Sequence, residues 1–204
     1  SVTDDGMYLI IYQSEGTQRR NRVFIKDLSK ANAQVTPFLD KFDASYRIVG
    51  NIKETFFVLT SNSAPRNRLV AISLADPDPD KWKTLIGEDT KGSILQDVSY
   101  VHHQFVAQVM TDAQTSLVIY DPRGRLESKI KMPSLGSVSG MSGDPFDSEG
   151  FYTFSSFNRP ATGYCYDFKT KVSTPFRTPK IAFSPDNFIT KQVFVRSNDG
   201  TQVP

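Results

Sequence analysis

The chain repeats one pattern four times, and that repetition narrows its folds more than any other feature. A run rich in aromatic and aliphatic residues, Tyr8-Leu9-Ile10-Ile11-Tyr12, returns at Phe56, Phe105 and Phe151, at steps of 48, 49 and 46 residues. A second run follows each of the first: residues 21–28, 67–74, 117–121 and 163–167. The clearest copy is residues 105–122, where Phe105, Ala107 and Val109 alternate with Val106, Gln108 and Met110 before the polar Thr111-Asp112-Ala113-Gln114. Alternation, a polar turn and a β-branched return at residues 117–120 describe a β-hairpin. Short-stranded units recurring at about 48 residues are the mark of β-propeller blades. The expected class is all-β, with about four blades of four-stranded antiparallel sheet.

Taken in order, strands are expected at residues 7–12, 21–28 and 35–39, then from residue 43 and at 55–61, 68–74 and 82–86. Further strands are expected at 94–103, across the hairpin 105–122, and at 126–132, then in the hairpin 150–168 and at 172–177. The small-residue run 136–143 reads as the crowded innermost strand of the fourth unit. Beyond it, residues 191–196 read as a strand entering an Asp199-Gly200 turn.

Several chemistries are excluded by residue type and spacing. With 24 basic and 22 acidic residues the net charge is +2, too small to drive nucleic-acid or membrane binding, so neither partner is expected. The basic turn Arg19-Arg20-Asn21-Arg22 reads as a solvated loop. Cys165 is the only cysteine, which rules out an internal disulfide and a cysteine metal cluster, and its apolar surroundings suggest a buried, inert thiol. Asp76-Pro77-Asp78-Pro79-Asp80 imitates the start of a calcium loop, but Lys81 and Gly87 stand where glycine and a carboxylate are required, so a surface turn is expected. Gly136 to Gly140 holds Val138, not serine, at its centre, so it is no nucleophile elbow, and no Gly-Lys-Ser/Thr follows to cradle a phosphate. His102 and His103 are adjacent, which on a strand sends their rings to opposite faces, one to the core and one to the surface. No metal or cofactor is expected.

The tail Thr190-Lys191-Gln192-Val193-Phe194, with Ser197, Asp199-Gly200-Thr201 and Val203-Pro204, resembles the junction at which the propeller of prolyl oligopeptidases passes into their catalytic domain. Asn21-Arg22-Val23 with Lys26-Asp27-Leu28, Phe42-Asp43-Ala44-Ser45-Tyr46, Ala64-Pro65-Arg66, Gly136-Ser137 with Ser139-Gly140, and Phe154-Ser155-Ser156-Phe157 are similar to that family's propeller in the same order. The resemblance covers essentially the whole chain. It implies part of a seven-bladed propeller over residues 1–190, with 191–204 leading into an α/β-hydrolase domain. It further implies a serine endopeptidase that cleaves short peptides after proline, with the propeller restricting access. The family's catalytic serine, aspartate and histidine lie downstream of the junction, so no catalytic residue is assigned here. Lys26 stands where some relatives carry a cysteine facing the active-site cavity, which makes Arg22 and Lys26 the candidate substrate-access residues.

The partners so implied are the enzyme's own catalytic domain and short proline-containing peptides, in the cytoplasm, with the periplasm as the alternative. A rival reading is a self-standing scaffold that binds a protein or peptide on its face. Four blades without closure leave terminal faces uncovered, so self-association is also expected, through edge pairing or exchange of the 191–196 strand.

Overall fold

A computed structural model describes residues 1–204. Seventeen strands form four meandering antiparallel sheets and a terminal two-stranded ribbon. The first sheet holds β1 (Tyr8–Ser14), β2 (Asn21–Asp27) and β3 (Thr36–Leu39). The second holds β4 (Tyr46–Ile52), β5 (Thr55–Thr60), β6 (Arg68–Ser73) and β7 (Lys83–Ile86). The third runs β8 (Ile94–Val101), β9 (Gln104–Thr111), β10 (Gln114–Tyr120) and β11 (Leu126–Lys129). The fourth is β12 (Ser137–Val138), β13 (Glu149–Ser156), β14 (Arg159–Asp167) and β15 (Val172–Arg177). In each four-stranded sheet the spatial order follows the chain order. The first sheet lacks a full inner strand; a single bridge between Val2 and Leu9 stands in its place. No helix is long and apolar enough to cross a membrane.

The chain divides into two compact units, residues 1–88 with 123–125, and residues 89–122 with 126–204. In the first unit, Tyr8, Ile10, Val23 and Ile25 of the first sheet pack against Phe56, Val58, Val70 and Ile72 of the second. The period-2 pleat accounts for the choice, since these residues alternate along their strands and share one face. Asn21 ties the two sheets in that interior: its amide donates to the Tyr46 carbonyl at 2.9 Å and its oxygen accepts from the Tyr46 N–H at 2.7 Å. Burying both the donor and the acceptor of one side chain is favourable only when both are satisfied, as here. In the second unit, Val106, Leu117 and Ile119 of the third sheet meet Tyr152, Phe154 and Tyr166 of the fourth.

The structural repeat differs from the sequence repeat by one residue in the first and fourth sheets. The hairpin-closing bonds Leu28 N–H to Met7 O, Leu74 N–H to Glu54 O and Phe168 N–H to Ser148 O make Leu9, Phe56 and Gly150 equivalent. Matching aromatic with aromatic had instead aligned Tyr8 with Phe56 and Phe151. A one-residue slip exchanges the faces of a strand, and the aromatic residue indeed changes sides: Phe56 is enclosed while Phe151 is exposed on the outward face of β13.

Three further expectations are corrected. His102 and His103 do not extend a strand, because Val101 pairs with Gln104 and the two histidines form the two-residue turn between, both with φ of 53°. Neither is in the core; His102 stacks on Phe168 and its Nδ1 lies 2.8 Å from the Asp147 carbonyl. Cys165 is only half-buried, since it pairs with Phe151 on the outward face while its neighbours Tyr164 and Tyr166 turn inward. Burial, then the charges of Glu149 and Asp167, push its thiol pKa up, against nucleophilic use. Residues 191–194 are not a strand: only β16 (Val195–Arg196) pairs, with β17 (Gln202–Val203), around the Asp199-Gly200 turn. The acidic loop becomes a single 3₁₀ turn at Pro79–Lys81, capped by Asp78, with Lys81 bonded to Asp76 at 2.5 Å.

Candidate functional site

At the hairpin tips of the second unit, the chain's own tail is fastened across the sheet ends. The β9–β10 tip is the two-residue turn Asp112-Ala113, with φ of 49° and 59°, the twist that closes a tight antiparallel hairpin. The β13–β14 tip presents Phe157 wholly to solvent and turns Asn158 beneath the tail. Asn158 is the hub. Its amide donates to the Pro185 and Phe188 carbonyls, both at 2.9 Å, and its oxygen accepts from the hydroxyls of Thr190 at 3.0 Å and Ser156 at 2.7 Å. Arg159 adds an ion pair with Asp186. A second fastening lies further on, where the Gln192 amide donates to the Asp112 carbonyl and its oxygen accepts from Gln114.

Between these fastenings lies a cavity of about 490 Å³, walled by the Asp112-Ala113 tip, Leu135 to Ser137, Phe157 and the tail residues Gln192 and Val193. Phe157 and Val193 are exposed around it, and Phe157 also borders a neighbouring hollow lined by Phe188 and Ile189, with Phe183 edge-on to Phe188 at 5.6 Å. An apolar rim with convergent amide groups is suited to holding another polypeptide surface, and nothing in it is arranged for bond-breaking chemistry.

Arg22 and Lys26 lie in the other unit and are not brought together. Both are half-buried on the face of β2 opposite the core, alternating with Val23 and Ile25, but four residues of strand separate them by about 13 Å. Arg22 is fully engaged: its Nε donates to the Asp40 carbonyl at 3.0 Å, its guanidinium pairs with Glu15 at 2.6 Å and it lies 4.8 Å from the centre of the Phe42 ring. Lys26 sits across from Leu9 near the far end of the same hairpin. The roles of Asn158 and Gln192 were not foreseen. Gln192 stood inside the junction pattern, and an Asn-Arg-Pro sequence at a hairpin tip was the only mark of Asn158.

Residues 1–179 match the family model described as prolyl oligopeptidase, N-terminal beta-propeller domain. The prolyl endopeptidase of Elizabethkingia meningoseptica is 32% identical over 203 residues, covering 100% of this chain and 28% of the relative. That of Dictyostelium discoideum is 32% identical over 188 residues, covering 86% of this chain and 24% of its own length. An apo structure of prolyl oligopeptidase B from Galerina marginata superimposes with a TM-score of 0.89 at 26% identity, over 98% of this chain and 29% of that one. The chain therefore spans 24% to 29% of the length of these relatives.

Proposed function

The chain belongs to the prolyl oligopeptidase N-terminal β-propeller family, and from that premise we propose that it forms part of the gate through which short peptides reach the catalytic domain of a serine endopeptidase cleaving after proline. The observation that carries the reading is the fastened tail. Asn158 and Gln192 fix residues 184–193 over the hairpin tips, so whatever follows the tail is delivered to that end of the sheets, beside an exposed apolar rim. A rim of this kind acts by exclusion. It keeps water and large substrates from a sheltered nucleophile and contributes no group to the transition state. Arg22 and Lys26 belong to the same proposal as side chains bordering the peptide's route, with a cytoplasmic setting.

The test is an assay of the protein encoded by the whole reading frame against a short Gly-Pro reporter peptide and against a folded protein containing exposed prolines. Cleavage of the first and sparing of the second is expected, with sparing lost when the propeller is opened by deletion. A reading frame that encodes no Gly-x-Ser-x-Gly followed by Asp and His would overturn the proposal and leave the binding scaffold. Lys26→Glu is expected to raise KM for acidic peptides while leaving kcat unchanged.

A further inference from the structure

The cavity between the tail and the hairpin tips holds groups that the gating proposal leaves idle. Three apolar side chains on its lining are exposed, Leu135 at 38%, Phe157 at 101% and Val193 at 67%. Phe157 is the extreme case: no aromatic ring pairs with it, although Phe183 and Phe188 nearby pair with each other. Single exposed apolar residues are ordinary, but several converging on one hollow mark a binding surface. The walls are also fixed in advance. Asp112 and Ala113 are set by their tight turn, and the tail is held through Gln192 on the Asp112 carbonyl and Thr190 on Asn158. A preformed site has little ordering entropy to lose when a ligand enters.

The polar side chains of the lining fall into two sets. Gln114 and Gln192 bond each other, and Ser156 and Thr190 both bond Asn158, so these four serve the wall itself. Ser137 and Ser155 do not. They are direct partners in the β12–β13 register, which puts both hydroxyls on one face, and neither hydroxyl has a partner in the chain. The charges stand apart in the same way. The Asp112 carboxylate on the hairpin tip and the Lys191 ammonium on the tail both line the cavity, both are exposed, and neither is in an ion pair. Asp112 holds Gln192 through its backbone carbonyl alone, which leaves the carboxylate free.

We propose that this cavity binds a short peptide with free ends, its α-ammonium at Asp112, its α-carboxylate at Lys191 and an apolar side chain against Phe157 and Leu135. A carboxylate, an ammonium, two hydroxyls and an apolar wall are the complement of a small zwitterion that carries peptide groups. A loop of a longer polypeptide has no free ends and would leave both charges unmet. The volume, about 490 Å³, falls within the range of small-ligand pockets. Exposed charge pairs contribute little each, so the apolar contact supplies most of the affinity and the two ends supply the choice of ligand. That the bound peptide is a substrate or product of the enzyme rests on the gating reading; the binding itself rests on the cavity alone.

The test is calorimetric titration of this chain with the tripeptide Ala-Leu-Pro and with its N-acetylated and C-amidated forms. Saturable binding of the free tripeptide is expected, weakened about tenfold when both ends are blocked, as for two exposed charge pairs. Asp112→Asn keeps the turn, because asparagine tolerates the same backbone conformation. It is expected to weaken the free tripeptide about threefold and to leave the N-acetylated form unaffected, and Lys191→Gln to do the same for the free and C-amidated forms. Phe157→Ala is expected to weaken every form at least about fivefold. All three side chains are exposed, so the variants are expected to keep the circular dichroism spectrum of the parent. No saturable binding, equal affinity for free and blocked peptides, or variants that bind as the parent does would overturn the proposal. So would an affinity in the protein of the whole reading frame that Phe157→Ala does not change, because the remainder of the protein then fills the cavity. None of these outcomes touches the gating reading, which stands or falls on the cleavage assay; a failed cleavage assay beside intact peptide binding would remove the gate and keep the site.

Discussion

Strands β5 and β13 fill the same place in their sheets and meet different fates. β5, Thr55–Thr60, is buried at every residue after the first, whereas β13, Glu149–Ser156, is buried only at Gly150, Tyr152 and Phe154, with Phe151 and Thr153 exposed. β5 is Phe-Phe-Val-Leu without interruption, and along β13 the buried residues alternate with exposed ones that include Phe151. β1 buries Tyr8 and Ile10 in the opposite phase, although Leu9, Ile11 and Tyr12 are apolar or aromatic as well. The lesson is that one hairpin design serves at both kinds of position, and that burial of its side chains, rather than their apolar character, is what differs between them.

The comparison is most sharply broken at the aromatic positions. Phe56 is 0% exposed and touches Tyr8 and Phe38 with ring centres at 5.2 and 5.3 Å, so Phe56→Ala is expected to cost about 3–5 kcal/mol from lost burial and the cavity left behind. Phe176, 69% exposed on the outward face of the fourth sheet against Phe151, is expected to cost less than about 1 kcal/mol when changed to alanine. Urea unfolding of both variants decides the matter; equal midpoints would mean that the outward face is covered in solution.

A finer break lies at Gly150, the equivalent of Phe56. A Cβ there would meet the Met141 sulfur at 2.5 Å and its Cγ at 2.9 Å, so Gly150→Ala is expected to cost about 1–3 kcal/mol by overpacking. Adding Met141→Ala should give back part of that loss, a coupling a double-mutant cycle would detect. Additive effects would show that the glycine is required for some other reason.

At the tail, Asn158→Ala is expected to change global stability by about 1 kcal/mol, as for a few half-exposed hydrogen bonds, while residues 184–190 become the first site of proteolytic cleavage. An unchanged digestion pattern would show that Gln192 suffices to hold the segment.

The smallest effect is electrostatic. The hydroxyl of Ser29, then the ammonium of Lys30, bond the Asp27 carboxylate and hold its pKa at about 2. Its folded pKa is therefore below the unfolded value of about 3.9, so its contribution is fully present above that value and fades as pH falls towards 2. Asp27→Asn should flatten the acid limb of the stability curve slightly and leave neutral pH nearly unaffected; an identical acid limb would show that Lys30 holds no charge-dependent grip.

The sequence by itself determined the class and the pieces. Four copies of a two-strand pattern, with turn residues between them, specify hairpins through local chemistry alone, and the strand bounds at residues 172–177 and the turn at Asp112-Ala113 were legible for that reason. The tail carried the family likeness in its residue order. Tertiary structure decided everything that depends on which face is covered: that Cys165 looks outward and Tyr166 inward, that Gly150 rather than Phe151 answers to Phe56, and that His102 and His103 make a turn. It also decided that Asn158 holds a segment some 30 residues further along and that Asp112 and Lys191 line one cavity. A period of two gives the alternation of a strand but not its phase, and hydrogen bonds between distant residues leave no periodic trace; both are fixed only when the sheets pack.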